Sequence, residues 1–328
     1  IALSENRIKP LEPAPQITQD SLSKITHIVS SAGVEPIQKA IEAGADVILV
    51  GRATDTALIA ALPLLNNAHK GASWHAAKIA ECGAFCSTNP SSGVIFVEVD
   101  ETGFTVEAMA QNALCTPETV AAHMLYENAD PFILLEPGGH LDVTDATYTA
   151  LDARRVRVEG SHWHSSDTYT VKLEAAKLSG YQTTLLTIVR EPNYVAHIDD
   201  WIEKLSRICN TKIKQSMTNS KSTHSIDFRV IGKNAVLGEL EFSESLAPEL
   251  GVLVIVTADS QGEADDIAML INPYLLHLPL SEDEPIPTTA FAYSPANSSR
   301  GAFFEFALNH IMKLEKPCDG FPLIIDEV

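Results

Sequence analysis

Basic residues are scarce in this chain: 23 Lys and Arg stand against 43 Asp and Glu, for a formal net charge of −20. A protein this acidic lacks the basic face that nucleic acid or an anionic membrane surface requires, so neither is expected as a partner. Any anionic substrate must instead meet a locally positive pocket. No apolar run approaches membrane-spanning length, and no signal peptide is visible at the start. The five cysteines are odd in number and irregular in spacing, which excludes a disulfide framework and points to a reducing, cytoplasmic setting. Several chemical signatures are missing as well. There is no Walker loop, G-x-G-x-x-G, G-x-S-x-G elbow or HExxH. ATP-driven chemistry, standard dinucleotide binding within this chain and zincin chemistry therefore lose their support. No internal repeat and no low-complexity segment is present.

What is there suits a globular protein with a real core: 45% apolar and 20% charged residues over 328 positions, long enough for two domains. The expected fold class is α/β, with a partial parallel layer over residues 1–145 and an α+β domain over 146–328. Residues 1–16, with three prolines, read as an extended connector. Thr18 or Asp20 caps a predicted helix through Ser30, and a second helix, Pro36 to Ala43, leads through Gly44 into a predicted buried strand at Val47–Val50. Beyond residue 145 the character changes to strands: Arg154–Glu159, Thr168–Ala176 and Tyr181–Val189. A helix follows at Tyr194–Cys209, then a loop at Thr211–Thr223. Strands at Ile226–Ile231 and Val236–Leu240 read as a pair. Another strand, Gly251–Ala258, a helix, Glu263–Leu276, and strands near Ala290 and Ala302–Met312 complete the chain. From Tyr181 this order resembles a ferredoxin-like split sandwich with a mainly antiparallel sheet.

Chemistry-bearing residues gather where predicted strands end. After Val50 come Gly51, Arg52, Thr54 and Asp55, just before a helical pattern through Leu65. Ligands bind at such edges in open α/β sheets, free N–H groups at a helix start favour an anion, and Arg offers a planar double donor for a carboxylate. The plain alternative is a helix cap plus a salt bridge. The next helix spaces His75, Lys78 and Cys82 at i, i+3 and i+7, on one face. Cys82 and Cys86 lie four apart, but a metal site needs further soft ligands, and none is obvious nearby in sequence. His123 and Glu127 have the i, i+4 spacing of a metal pair, of an oriented imidazole or of a surface ion pair. Glu136 follows a predicted strand, Phe132–Leu135, and precedes Pro137, Gly138, Gly139, His140 and Asp142. Two glycines there let the backbone approach a ligand or form an anion nest; a solvated turn is the plain alternative. The loop SHWHSSD, residues 161–167, holds two histidines without an evident role.

The blocks GADVILVGRATDTALIAALPL, WHAAKIAECGA, CTPETVAAHMLYENADPF and EPGGHLDVT, in that order, resemble the acyclic terpene utilisation family (AtuA-like), catalogued as a domain of unknown function. The likeness runs from NRIKPLEPAP at Asn6 to AFFEFALNHIMKLEKP near the C-terminus. It implies enzymes of branched-acid and acyl-CoA breakdown, without a settled reaction. It also implies a preceding segment with a glycine-rich turn, which would complete the parallel layer. Association with that segment, or as a homo-oligomer, is accordingly expected.

Two functional readings follow. In the first, the chain is an enzyme acting on a small carboxylic acid or its CoA thioester, a lyase, hydratase or isomerase using general acid–base catalysis. His75, Lys78 and Glu136 would move protons. Arg52, Thr54, Asp55, Cys82, Gly138, Gly139 and Asp142 would bind the substrate. No metal is required, the alternative being a metal-assisted variant through His123 and Glu127. The sequence names no cofactor, and CoA enters only as part of a substrate. In the second reading the chain is a non-catalytic subunit or binding module that completes its fold with a partner.

Overall fold

The computed structural model describes residues 2, 4–91, 93–216, 223–243, 245 and 247–326. It is a mixed α/β protein with several antiparallel sheets. The chain divides into two compact units, one of residues 1–175 and 306–328, the other of residues 176–305. The expected boundary at 145/146 falls inside the first unit. The chain passes between the units along two long strands, Thr170–Val189 and Asn297–Lys313. Among the described residues, no helix is long and apolar enough to cross a membrane.

The second unit bears out the ferredoxin-like reading. Tyr181–Val189 pairs antiparallel with Leu250–Ala258, which pairs antiparallel with His224–Ile231. The returning strand from Asn297 lies on the other side of the first of these, which gives the order of a split β-α-β-β-α-β sheet. Helices Ile198–Ser216 and Gln261–His277 cover it. Trp201, Leu205 and Ile213 from one helix and Ile267, Ile271 and Leu275 from the other pack on Val252, Val254 and Val256. Some expected elements differ. The first helix continues to Ser216, so the loop expected at Thr211–Thr223 begins later; residues 217–222 lie outside the described ones. Val236–Leu240 forms no strand: Val236 is exposed, and Gly238–Leu240 is a single 3₁₀ turn. The partner of His224–Ile231 is instead the apolar Leu250–Ala258, which has a side to bury.

In the first unit, three helices, Val34–Glu42, Asp55–Leu65 and Lys70–Ala80, pack through small residues. Ala57, Ala60 and Ala61 on the second helix and Ala72, Ala76 and Ala77 on the third are fully buried or nearly so. Short side chains let the helix axes approach closely. Gly71 extends the same logic: a Cβ there would lie 2.2 Å from the Ser161 carbonyl oxygen. The helices share a core with a four-stranded sheet, Ile95–Val99, Gly103–Ala108, Arg155–Glu159 and Thr147–Ala150 in pairing order. A three-stranded sheet, Ile133–Glu136, Gly139–Asp142 and His162–Ser165, lies in the same unit, with Trp163 stacked on Trp74 of the third helix.

Three expectations change here. The helix capped by Thr18 covers only Gln19–Ser23, and Ile25–Ser30 is a strand, in keeping with the β-branched run ITHIVS. Val47–Val50 is irregular and not a buried strand, with Leu49 93% exposed. Just past it, Ala53 forms an isolated parallel bridge with Ala32. Finally, the SHWHSSD loop contributes a strand, His162–Ser165, whose register with Gly139–Asp142 sets His140 opposite His164.

Candidate functional site

The site is built outward from Ala32. Its N–H donates to the Arg52 carbonyl at 3.1 Å, and its carbonyl accepts from Thr54 N–H at 3.0 Å. Ser31 N–H in turn donates to the Lys172 carbonyl at 3.0 Å. This ladder fixes the stretch Arg52–Thr54 and hence the start of the helix Asp55–Leu65. Thr54, and not Asp55, is the N-cap, its hydroxyl oxygen accepting from Ala57 N–H at 3.2 Å.

Glu136 faces that helix start. It ends its strand opposite Gly139, with Pro137 and Gly138 as the two turn residues. Gly138 has φ +83°, in the left-handed region that favours glycine. The turn is tight on its outer side, where a Cβ on Gly139 would lie 2.3 Å from the His164 carbonyl oxygen. The Glu136 carboxylate accepts hydrogen bonds from Thr54 Oγ1 at 2.7 Å and from Thr56 Oγ1. Burial raises its pKa from 4.5 to about 7, outweighing the two hydroxyl bonds, which act to lower it.

This carboxyl opens onto a cavity of about 480 Å³. Arg52, Thr54, Asp55, Lys78, Glu127, Glu136 and Gly139 line it. Lys78 is almost fully buried; its ammonium donates to Glu81 and, at 2.7 Å, to the Tyr126 carbonyl. Burial pushes the Glu81 carboxyl up, against the opposing pull of Lys78. Arg52 stands at the rim, half-exposed, with its nearest carboxylate oxygens at 3.9 Å on Asp55 and 4.0 Å on Glu174. Both are long ion pairs, beyond hydrogen-bonding distance.

Other expected site residues lie elsewhere. His75 does not line this cavity. It is fully buried, with Nδ1 2.8 Å from Ser161 Oγ and Nε2 3.2 Å from the Tyr148 hydroxyl. Its edge packs on Phe104, and burial lowers its pKa to about 3. The face it shares with Gly71 turns into the core, so it parts from Lys78. Cys82 follows the helix that ends at Ala80 and is absent from the cavity lining. Asp142 caps its own turn, accepting from Thr144 N–H at 2.8 Å; hydrogen bonding from the Thr144 side chain, and then from its backbone, holds the Asp142 pKa down. Gly138 turns the chain without lining the cavity. His123 and Glu127 are not an i, i+4 helical pair. The helix ends at Ala122, a 3₁₀ turn follows, and Glu127 has φ +50°. His123 is buried while Glu127 is exposed at the cavity.

Sequence reasoning missed Thr56, Glu81, Thr168, Thr170, Lys172 and Glu174, all of which line the cavity. Two signals were present. Glu81 is i+3 from Lys78, the spacing of a helical ion pair. Thr170, Lys172 and Glu174 alternate along a strand, which puts them on one face.

The structure is that of a mixed α/β protein with a cavity of about 480 Å³, a size within the range of about 300–1,000 Å³ that small-molecule sites have. The chain belongs to the acyclic terpene utilisation family, AtuA, whose model matches residues 4–282. No curated protein matches. No solved structure matches either.

Proposed function

We propose that this protein is an enzyme of acyclic terpene catabolism that moves a proton next to the carbonyl of a branched carboxylic acid or its CoA thioester, in a hydration, elimination or isomerisation. The family it belongs to, named for acyclic terpene utilisation, supports the pathway. The observation that carries the chemistry is the Glu136 carboxyl, held by two threonine hydroxyls at a cavity wall with a pKa near neutrality. A general base is most effective when its pKa lies near the working pH. Glu136 removes the proton and returns it. Arg52, whose ion pairs with Asp55 and Glu174 are long, holds the substrate carboxylate or the thioester's acidic portion. Lys78 supplies buried positive charge beside the cavity, which favours an enolate-like transition state. His75 has no part in this transfer, since both its ring nitrogens are engaged in the core.

Hydrogen–deuterium exchange at the α-carbon tests the reading without knowledge of the product. The protein is incubated in D₂O with a panel of branched unsaturated acids and their CoA thioesters, and mass spectrometry follows the label. Catalysed exchange into at least one of them, lost in Glu136→Gln, is the expected result. Absence of catalysed exchange across the panel, or equal exchange in Glu136→Gln, overturns it.

A further inference from the structure

Behind the cavity wall, at the end of the helix Lys70–Ala80, three side chains converge that the acid–base reading leaves unused as ligands. One donor atom each from Glu81, Cys82 and His123 lies within 4.8 Å of the others. Carboxylate, thiolate and imidazole are the three donor types of protein zinc sites. Their origins differ: Glu81 and Cys82 leave the helix end, while His123 arrives on a 3₁₀ turn about forty residues on. The sequence spacing therefore hides the group.

A second, independent observation singles out the histidine. His123 is 4% exposed, and its Nε2 is buried with no hydrogen-bond partner among the described residues. Leaving a buried polar atom unpaired costs about 1–3 kcal/mol. The ring is nevertheless held in one orientation, stacked on Tyr126 with centroids 5.5 Å apart and planes at 8°. An imidazole that is fixed and unpaired beside a thiol and a carboxylate is arranged as a ligand is. Glu81 is arranged likewise: Lys78 holds its Oε1, which leaves the second oxygen for an ion. A carboxylate that ligates through one oxygen and accepts a hydrogen bond on the other is the usual outer-shell pattern of metal sites.

We propose that Glu81, Cys82 and His123 form a binding site for one divalent ion of the zinc class. The soft thiolate and the imidazole select zinc or cobalt over magnesium or calcium, which prefer oxygen. Binding replaces the thiol proton: Cys82 S–H gives its proton to solvent and its sulfur to the ion, with no change of oxidation state. Three protein ligands leave a fourth tetrahedral position open, the arrangement of zinc sites that take water or a substrate atom. Glu81 also lines the 480 Å³ cavity, and His123 lines a separate open pocket with Phe85 and Tyr126.

Cobalt titration of chelator-treated protein, with no substrate present, tests the site. One equivalent of Co²⁺ is expected to give thiolate-to-cobalt charge-transfer absorption in the near ultraviolet, and Zn²⁺ to abolish it. Cys82→Ser removes that absorption with an unchanged circular dichroism spectrum, whereas Cys318→Ser keeps it. His123→Gln weakens cobalt binding by at least about tenfold. Zn²⁺ also shields Cys82 of the unsubstituted protein from iodoacetamide, read on its peptide by mass spectrometry, which needs no variant to fold. Absence of charge-transfer absorption, its persistence in Cys82→Ser, or alkylation of Cys82 at an equal rate with and without Zn²⁺ overturns the site. The measurement is independent of proton exchange at Glu136, so either proposal fails without the other.

Discussion

Glu136 and His75 are both titratable side chains removed from water, and the two burials have opposite character. Glu136 sits at a strand end, bonded to the first turn of a helix, and one side of its surroundings is the cavity. His75 sits in the middle of a helix, under Ser161, Tyr148 and Phe104, with none of its surface exposed. Burial penalises the charged form of both. It moves the carboxyl up to about 7, where it can exchange protons in neutral solution, and the imidazole down to about 3, where it stays neutral. Desolvation alone therefore does not mark a site. A perturbed group becomes chemically useful when it also faces space that a substrate can enter.

The comparison can be broken at His75 first, where the expected effect is largest. His75→Ala leaves a core void and strands the Ser161 and Tyr148 hydroxyls, at a cost of about 3–5 kcal/mol in denaturant unfolding. Proton exchange per folded molecule stays unchanged. A His75→Ala protein that keeps its stability but loses exchange would make His75 part of the site after all.

The two groups also impose opposite pH dependences on stability. His75 has its pKa lowered from 6.5 to about 3, so the fold loses stability as pH falls through that window, where the unfolded chain takes up the proton and the folded one does not. Glu136 has its pKa raised from 4.5 to about 7, so its contribution is most favourable below 4.5 and is lost as pH rises towards 7. The second effect amounts to about 3 kcal/mol. Lys78, Arg52 and Lys172 face the same cavity and favour the ionised carboxylate; Glu81, Asp55, Glu127 and Glu174 oppose it. Subtracting the stability–pH curve of Glu136→Gln from that of the parent isolates the term. A flat difference between pH 4.5 and 7 would mean that Glu136 is solvated.

Turnover gives the next effect in size. Glu136→Gln preserves shape and hydrogen bonding and is expected to slow catalysed exchange by about a hundredfold or more, some 2.7 kcal/mol, with substrate binding largely kept. The smallest effect belongs to the rim. Arg52→Lys replaces a planar fork by a point charge and is expected to raise KM for a carboxylate substrate by about ten- to a hundredfold, while the melting temperature holds. Unfolding of Arg52→Lys with unchanged KM would make the arginine structural.

Local signals in the sequence determined a good deal. The helix cap at Thr54–Asp55, the turn at Pro137–Gly138 and the helix–strand order of the second unit follow from neighbouring residues and their periodicity. So did Arg52, Thr54, Lys78 and Glu136 as cavity residues, because each stands where an element starts or ends, or on a helix whose polar positions are few. The tertiary structure decided the rest. Whether the apolar run at Val47–Val50 became a strand depended on a neighbour to pair with, and only Ala53 found one. Which way the helix Lys70–Ala80 faced depended on where Gly71 could admit the Ser161 carbonyl, and that sent His75 into the core and Lys78 to the cavity. Glu81, Cys82 and His123 meet because a turn brings distant chain back to a helix end. Periodicity fixes the face of an element on which a residue lies; what that face touches is set by packing between elements far apart in the chain.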